Sequence, residues 1–399
     1  MLKFLALLTA ALLFTGCTAS GRHDDSHDLC RCSPAPQMTD ECERFSPEVL
    51  EESFVKAMWI SYIDLLPMLE KGTAEDFRDK FSEACENVCE MGFNTLFVHV
   101  RAFGDALYHS NIYPPSDMAG GFDALEIMCD TAHEHGLELH AWINPLRLQT
   151  ADRLAALEGW QTYDWYLSGT GEVMAVEGDE HLWLDPAFSE VRDFIADGAA
   201  EIAGNYEVDG IHYDDYFYPT TDEAFDAQCY SQFSEGIGLE DWRRENINKL
   251  CREIYSKVKA KNENITVSIS PQGNIGNNYD LMYADVAKWC AEEGYCDMMI
   301  PQIYFGYDNS VKPFLRTLDE WRALCGAPEP KLVIGLAAYK IGTEDEFTDN
   351  VGIIAKQIAD CAECGGVAVY TYSSFFGEDS SDPRIISEKQ AVLAALDEC

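Results

Sequence analysis

The chain has 399 residues, 47% of them apolar, which is enough to bury a large core. Asp and Glu number 70 against 28 Lys and Arg, a formal net charge of −42. So negative a field excludes nucleic acid as a partner and direct adsorption to anionic lipid, and leaves neutral sugars open.

The first residues read as a targeting segment. Met1-Leu2-Lys3 is a short basic start, and Phe4 to Phe14 is an apolar run too short to span a bilayer. Leu13-Phe14-Thr15-Gly16-Cys17 resembles a bacterial lipobox, which implies cleavage before Cys17 and lipidation of that residue. Residues 1–16 are expected to be a lipoprotein signal peptide, 17–50 a polar tether, and 51–399 the folded body. The protein is expected to be exported and held at a membrane by lipid alone, in the periplasm or at the cell surface. An ordinary secretory signal with a chance Cys17 is the alternative, and it too leads out of the cytoplasm. In an exported protein Cys30, Cys32 and Cys42 could staple the N-terminal segment to the body. Cys85/Cys89 and Cys361/Cys364 have helical spacing and mark helix faces rather than bridges.

Beyond the tether, strand and helix alternate, which predicts a parallel sheet with helices outside. Strand one is Lys56–Tyr62, followed by a helix from Ala74 to Met91 that Gly92 ends. Strand two is Thr95–Val100, and its helix runs from Phe122 to His135 and stops at Gly136. Strand three is Glu138–Ile143. An excursion over 144–185 follows, then a helix Pro186–Tyr206 with Asp185 as its cap. Strand four is the stretch DGIHYDDYFYP, Asp209–Pro219, and the helix Leu239–Lys261 comes after it. Strands five to eight are Ile265–Ile269, Asp297–Ile303, Lys331–Leu336 and Gly366–Tyr370. Their helices are Tyr279–Glu293, Val311–Leu324, Val351–Cys361 and Ile386–Leu396. Eight such units predict a single (β/α)₈ barrel with enlarged βα loops. An open doubly wound sheet would show a Gly-rich phosphate turn after an early strand, and there is none.

Catalytic groups of such barrels lie at the C-terminal strand ends. Those ends carry Trp59, Tyr62 and Asp64; His99, Arg101 and Asp105; His140, Trp142, Asn144 and Arg147; His212, Asp214 and Asp215; Ser268, Ser270 and Gln272; Gln302 and Tyr304; Tyr339; and Tyr370 and Tyr372. Tyr213 and Tyr218 flank the acids of strand four. Flat rings that stack on pyranose faces and forked side chains that bond hydroxyls compose a sugar site. Trp59 and Trp142 could instead plug the barrel, His99 and His140 could be core histidines, and Arg101 could pair with Asp105 to hold a loop. Strand alternation puts His212 and Asp214 on one side and Tyr213 and Asp215 on the other, so a regular strand turns one aspartate away.

Glycoside hydrolysis needs two carboxyl groups. Asp214 is the first candidate nucleophile or base, Asp215 its partner, and Asp105 the candidate acid. Trp59, Asp64, His99, Arg101, His140, Trp142, Asn144, His212, Tyr213, Tyr218, Gln302, Tyr304 and Tyr370 are the candidate substrate contacts. No cofactor or metal is expected; three histidines on three strands with no HxH pair make a poor metal site. The partner is a polysaccharide and the protein a monomer. A surface lipoprotein that binds glycan without cleaving it is the second reading, because strand five lacks a Glu.

From Phe54 to Phe376 the chain resembles the glycosyl hydrolase-like 10 family of bacterial proteins. VHVRAFGDALY (Val98–Tyr108), HAWINPLR (His140–Arg147), LDPAFSEVRDFI (Leu184–Ile195), DGIHYDDYFYP, SISPQGN (Ser268–Asn274) and MIPQIYF (Met299–Phe305) carry the likeness. It implies a (β/α)₈ barrel acting on a glycan, with peptidoglycan strands stripped of peptide as one candidate substrate. DGIHYDD is also similar to the fourth strand of amylase-like barrels, which implies Asp214 as nucleophile. The final Glu of the chitinase-like DGxDxDxE pattern is replaced here by Tyr216.

Overall fold

The structure, a computed structural model, describes residues 53–70, 72–326 and 330–399. The signal peptide, Cys17, the tether and Cys30, Cys32 and Cys42 lie outside the described residues.

The chain opens with β1 (Val55–Ile60), α1 (Tyr62–Leu69), α2 (Ala74–Glu90), β2 (Thr95–Arg101), α3 (Ala124–Glu134) and β3 (Glu138–Ile143). The excursion is not structureless: it folds into β4 (Arg147–Thr150), α4 (Ala151–Leu154), α5 (Gln161–Ser168), β5 (Val173–Ala175) and β6 (His181–Leu184). Then follow α6 (Ser189–Asn205), β7 (Gly210–Asp214), α7 (Ala227–Phe233), α8 (Leu239–Lys261) and β8 (Thr266–Ser270). The last part holds α9 (Ile275–Leu281), α10 (Val286–Ala291), β9 (Met298–Met299), α11 (Phe314–Leu324), β10 (Lys331–Ala337), α12 (Asp345–Asp349), α13 (Ile353–Asp360), β11 (Gly366–Tyr370), α14 (Tyr372–Phe376) and α15 (Pro383–Asp397).

Eight strands close a parallel barrel in the order β1-β2-β3-β7-β8-β9-β10-β11, and β1 meets β11 at Ala57 opposite Ala368. The predicted (β/α)₈ barrel is the observed one. β4, β6 and β5 form a separate antiparallel sheet within the excursion. Period-two alternation sorts the residues into two cores. Val55, Ala57, Trp59, Phe97, Trp142, Met298, Ile300, Val333 and Ala368 fill the barrel interior. Met58, Ile60, Val98, Ile211, Tyr213 and Ile269 face outward and pack beneath the helices.

Several boundaries differ from expectation. β1 ends at Ile60 because Ser61 begins a helix, its hydroxyl accepting from the Asp64 N–H while the Asp64 carboxylate accepts from the Ser61 N–H. Only Met298–Met299 of the sixth strand forms a regular ladder. The predicted helix Tyr279–Glu293 is two short helices, broken where Tyr283 takes φ 52°. Asp185 does not cap a helix at Pro186; it accepts from the Ala187 N–H at 2.9 Å, and α6 starts at Ser189 with no side-chain cap. Cys290 and Cys325 pair across α10 and the end of α11, a disulfide not read from the sequence. Cys85, Cys89, Cys361 and Cys364 are free thiols.

Asp64 closes the barrel seam. Its carboxylate accepts from the Ser61 backbone and hydroxyl at 2.7 Å each, from the Thr371 hydroxyl at 2.6 Å and from the Ser373 N–H at 2.9 Å. It was expected to touch substrate, but it is buried and spent on tying the end of β1 to the segment after β11. Replacing it leaves buried donors unpaired at about 1–3 kcal/mol each when wholly unsatisfied. Asp64→Ala is therefore expected to lower unfolding stability by roughly 2–3 kcal/mol in urea titration. A midpoint unchanged from wild type contradicts that role.

Candidate active site

β7 carries the two aspartates, and its geometry decides their fate. His212 is inward at the level of the Trp59 and Phe97 rings, and Asp214 lies two residues further up on the same face. The ladder stops at Asp214. Asp215 is therefore released from strand alternation, and it too lines the cleft. The expectation that one aspartate must face away fails because the regular strand ends between them.

The cleft has a volume of about 330 Å³ at the C-terminal mouth of the barrel. Trp59, Trp142, Tyr304, Tyr339 and Tyr370 form one aromatic group within it, and Tyr62 and Tyr216 line it as well. Tyr370 is the hub, its ring centroid 6.1 Å from Trp59, 6.4 Å from Trp142, 6.2 Å from Tyr304 and 5.9 Å from Tyr339. Such rings offer apolar faces at little conformational cost, as pyranose stacking needs.

Asp214 is only 4% exposed. Burial, and then repulsion from Asp215, push its carboxyl well above the usual carboxylate range. The Trp142 indole N–H lies close enough to favour the ionised form, although it makes no formed hydrogen bond. Asn144 Nδ2–H donates to Asp214 Oδ1 at 3.3 Å. Asp215 is half-buried, and burial raises it to about 6 while Gln302 opposes the rise. Gln302 Nε2–H donates to Asp215 Oδ1 at 3.5 Å and to the Ser270 carbonyl at 3.3 Å. The two acids titrate as a pair that keeps one proton above pH 6.

A short chain of donors fixes the orientation of Asn144. The Tyr62 backbone N–H donates to His99 Nδ1 at 3.3 Å. That leaves the proton of the neutral imidazole on Nε2, which donates to Asn144 Oδ1. The Asn144 amide is thereby turned so that its NH₂ meets Asp214. Burial depresses His99 to about 3, so it stays neutral and keeps this tautomer. His99 also stacks on Trp142, 3.4 Å between centroids and 10° between planes.

Arg147 supplies the cleft's positive charge. Its guanidinium lies 4.7 Å from the Phe103 ring and 4.9 Å from Tyr216, and it touches His181 Nδ1 at 3.4 Å. It makes no ion pair among the described residues, and its buried Nε has no partner. Arg243, by contrast, is fully buried and held by Asp226 at 2.6 Å.

Other expected contacts are elsewhere. Asp105 does not line the cleft; its half-buried carboxyl faces the Ser116 hydroxyl. A register shift between His99 and Arg101 turns Arg101 outward, under the Tyr113 ring at 3.9 Å and against the Tyr108 hydroxyl. No Arg101–Asp105 ion pair forms among the described residues. His140 and His212 point inward but sit too deep. His140 stands edge-on to Phe97, against Gly210, where a Cβ would collide with its ring. His212 accepts from Trp59 Nε1–H at 3.0 Å and donates from Nδ1 to Ser268 Oγ at 2.9 Å. Tyr213 faces outward toward Cys251 and Cys296. Tyr218 is buried between Phe225 and Tyr283. Conversely, Ser61, Tyr62, Arg147, Tyr216 and Tyr339 line the cleft without having been chosen as site residues. Tyr62, Arg147 and Tyr339 already stood at strand ends, and that position was the available signal. Among the described residues no three His, Cys, Asp or Glu side chains converge as metal ligands.

The Glycosyl hydrolase-like 10 family matches residues 54–351 of the chain. The protein named glycosyl hydrolase YngK of Bacillus subtilis is 30% identical over 321 residues, 72% of this chain and 61% of its own length. Glycosyl hydrolase DigH of Escherichia coli is 31% identical over 302 residues, 67% of this chain and 68% of its own. Among solved structures, the PgaB (BpsB) glycoside hydrolase domain from Bordetella bronchiseptica superposes with a TM-score of 0.58 at 10% identity, covering 85% of this chain and 99% of that one. The endo-1,4-beta-mannanase from Rhizomucor miehei gives 0.56 at 11% identity, covering 87% and 95%. At such identities these structures speak to the barrel fold alone. The sequence matches go further: this chain belongs to the glycosyl hydrolase-like 10 family.

Proposed function

We propose that the protein hydrolyses glycosidic bonds of a bacterial envelope polysaccharide, with peptidoglycan strands stripped of peptide as the leading candidate. The observation that carries this reading is the pair of adjacent carboxyls at the end of β7, both facing an aromatic cleft and both pushed above the usual carboxylate range by burial. A protonated carboxyl can deliver its proton to the glycosidic oxygen. Its ionised neighbour opposes the positive charge that develops at the anomeric carbon. Arg147, a cation with no ion pair among the described residues, supports a glycan bearing acidic groups, such as the lactyl ethers of bare peptidoglycan strands. Anchoring through a lipid on Cys17 at the periplasmic or cell surface, and action as a monomer, belong to the same proposal. The competing reading is a lipoprotein that binds such strands without turnover; the polarised Asp214–Asp215 pair argues against it, because binding alone needs no protonated buried acid.

Asp214→Asn and Asp215→Asn are each expected to cut release of reducing ends from bare glycan strands by roughly 10²–10⁴-fold. Binding of the strands in a sedimentation assay should survive. Release unchanged in both variants contradicts the assignment, and no release by the wild type favours the binding lipoprotein.

The pH profile follows from the pair. Below about 6 both acids are protonated and no carboxylate opposes the developing charge; as pH rises through 6, Asp215 loses its proton and activity climbs. At higher pH the second proton leaves and activity falls. A bell with its acid limb near 6 is therefore expected in kcat/KM. A flat profile between pH 4 and 9, about two units or more either side of that limb, contradicts it.

Asn144 donates to ionised Asp214 and so favours it. Asn144→Leu is expected to raise the alkaline limb, and His99→Phe should shift it in the same direction by freeing the Asn144 amide. Loss of activity with the limb unmoved marks a merely structural role for both.

A further inference from the structure

A second concave site lies on the outer flank of the barrel, between α7 and the first turns of α6 and α8. Its volume is about 450 Å³, larger than the cleft. Trp242, 5% exposed, and Asn246, 3% exposed, line it from α8. Phe188 and Phe233 line it from the other elements, and Phe233 is 56% exposed at the end of α7. Gln228, Gln232 and Lys249 belong to its polar part, together with Glu190 and Arg192 of α6. Asn246 Nδ2 is buried and has no hydrogen-bond partner. A buried amide donor left unpaired calls for an acceptor brought by something else.

Like the cleft, it combines aromatic rings, side-chain amides and positive charge, here from Arg192 and Lys249 beside Glu190. The two are bordered by one excursion, which contributes Arg147 to the cleft and Thr170 to the groove. Helix N-termini lie at the catalytic end of a (β/α)₈ barrel, and the groove takes in the first turn of α6 and the early turns of α8. We infer that this groove is a second, non-catalytic binding site for a glycan chain, engaging the polymer whose other segment lies in the cleft. Phe233 stacks on a sugar ring, Asn246 Nδ2–H donates to a hydroxyl or acetamido oxygen, and Gln228 and Gln232 bond further hydroxyls. Holding one strand at two places raises its effective concentration at the cleft, so the gain falls on long chains and not on short ones.

The inference rests on the glycan reading of the cleft, and its test separates the two. The full chain carrying Asp214→Asn is titrated with bare peptidoglycan strands and with a short N-acetylglucosamine oligomer. Phe233→Ala and Gln232→Ala, both exposed and safe for folding, are expected to weaken binding of the long strands by about fivefold to tenfold. Binding of the short oligomer should not change, and with Asp214 restored neither should turnover of that oligomer. Equal binding of long strands by parent and variants overturns the groove, whatever the cleft does. Loss of a dimer in Phe233→Ala, read by light scattering, also overturns it by assigning the face to a second copy of the chain. A chain that cleaves nothing but loses strand binding in Phe233→Ala keeps the groove and removes the catalytic reading.

Discussion

The end of β7 is the constraint on which the site depends. For five residues the strand obeys alternation, sending Ile211 and Tyr213 under the helices and His212 and Asp214 into the barrel. One residue later the ladder stops, and Asp215 is free to turn inward as well. Two carboxyls then share one partly dry space. Because burial and mutual repulsion both disfavour charge there, the pair holds a proton at a pH where isolated aspartates hold none. The surrounding groups act on that pair: Asn144 and Arg147 ease ionisation at Asp214, and Gln302 does so at Asp215.

The support beneath the pair is a packed interior rather than a pore. Trp59, Phe97 and His212 interlock, with the His212 ring 4.4 Å from Phe97 and bonded to both Trp59 and Ser268. The acceptor nitrogens of His99 in the cleft and His212 beneath it are both occupied, His99 by the Tyr62 N–H and His212 by the Trp59 indole. That fixes their tautomers and makes them positioning groups within a rigid scaffold.

Much of this was legible in the sequence, and the misses have a common cause. Alternating strand and helix signals and Gly-ended helices suffice for the barrel, and strand ends suffice for Trp59, His99, Trp142, Asn144, Asp214, Asp215, Gln302, Tyr304 and Tyr370 in the cleft. What residue type and spacing do not encode is depth and local irregularity. His140 and His212 have the inward parity but stand two residues below Trp142 and Asp214, where the barrel is filled. Arg101 has that parity too, and a register shift sends it outward. Asp64 lies at a strand end but is consumed by a capping box. Asp105 and Tyr218 sit in connections whose path follows from packing, not from period.

Whether bonds are broken decides between the catalytic account and simple binding. The most direct measurement is mass spectrometry of bare peptidoglycan strands incubated with the purified protein in H₂¹⁸O. The account predicts shortened strands, each new reducing end carrying one ¹⁸O, and none when Asp214 and Asp215 are both replaced by Asn. Strands recovered intact and unlabelled from a protein that binds them would contradict it.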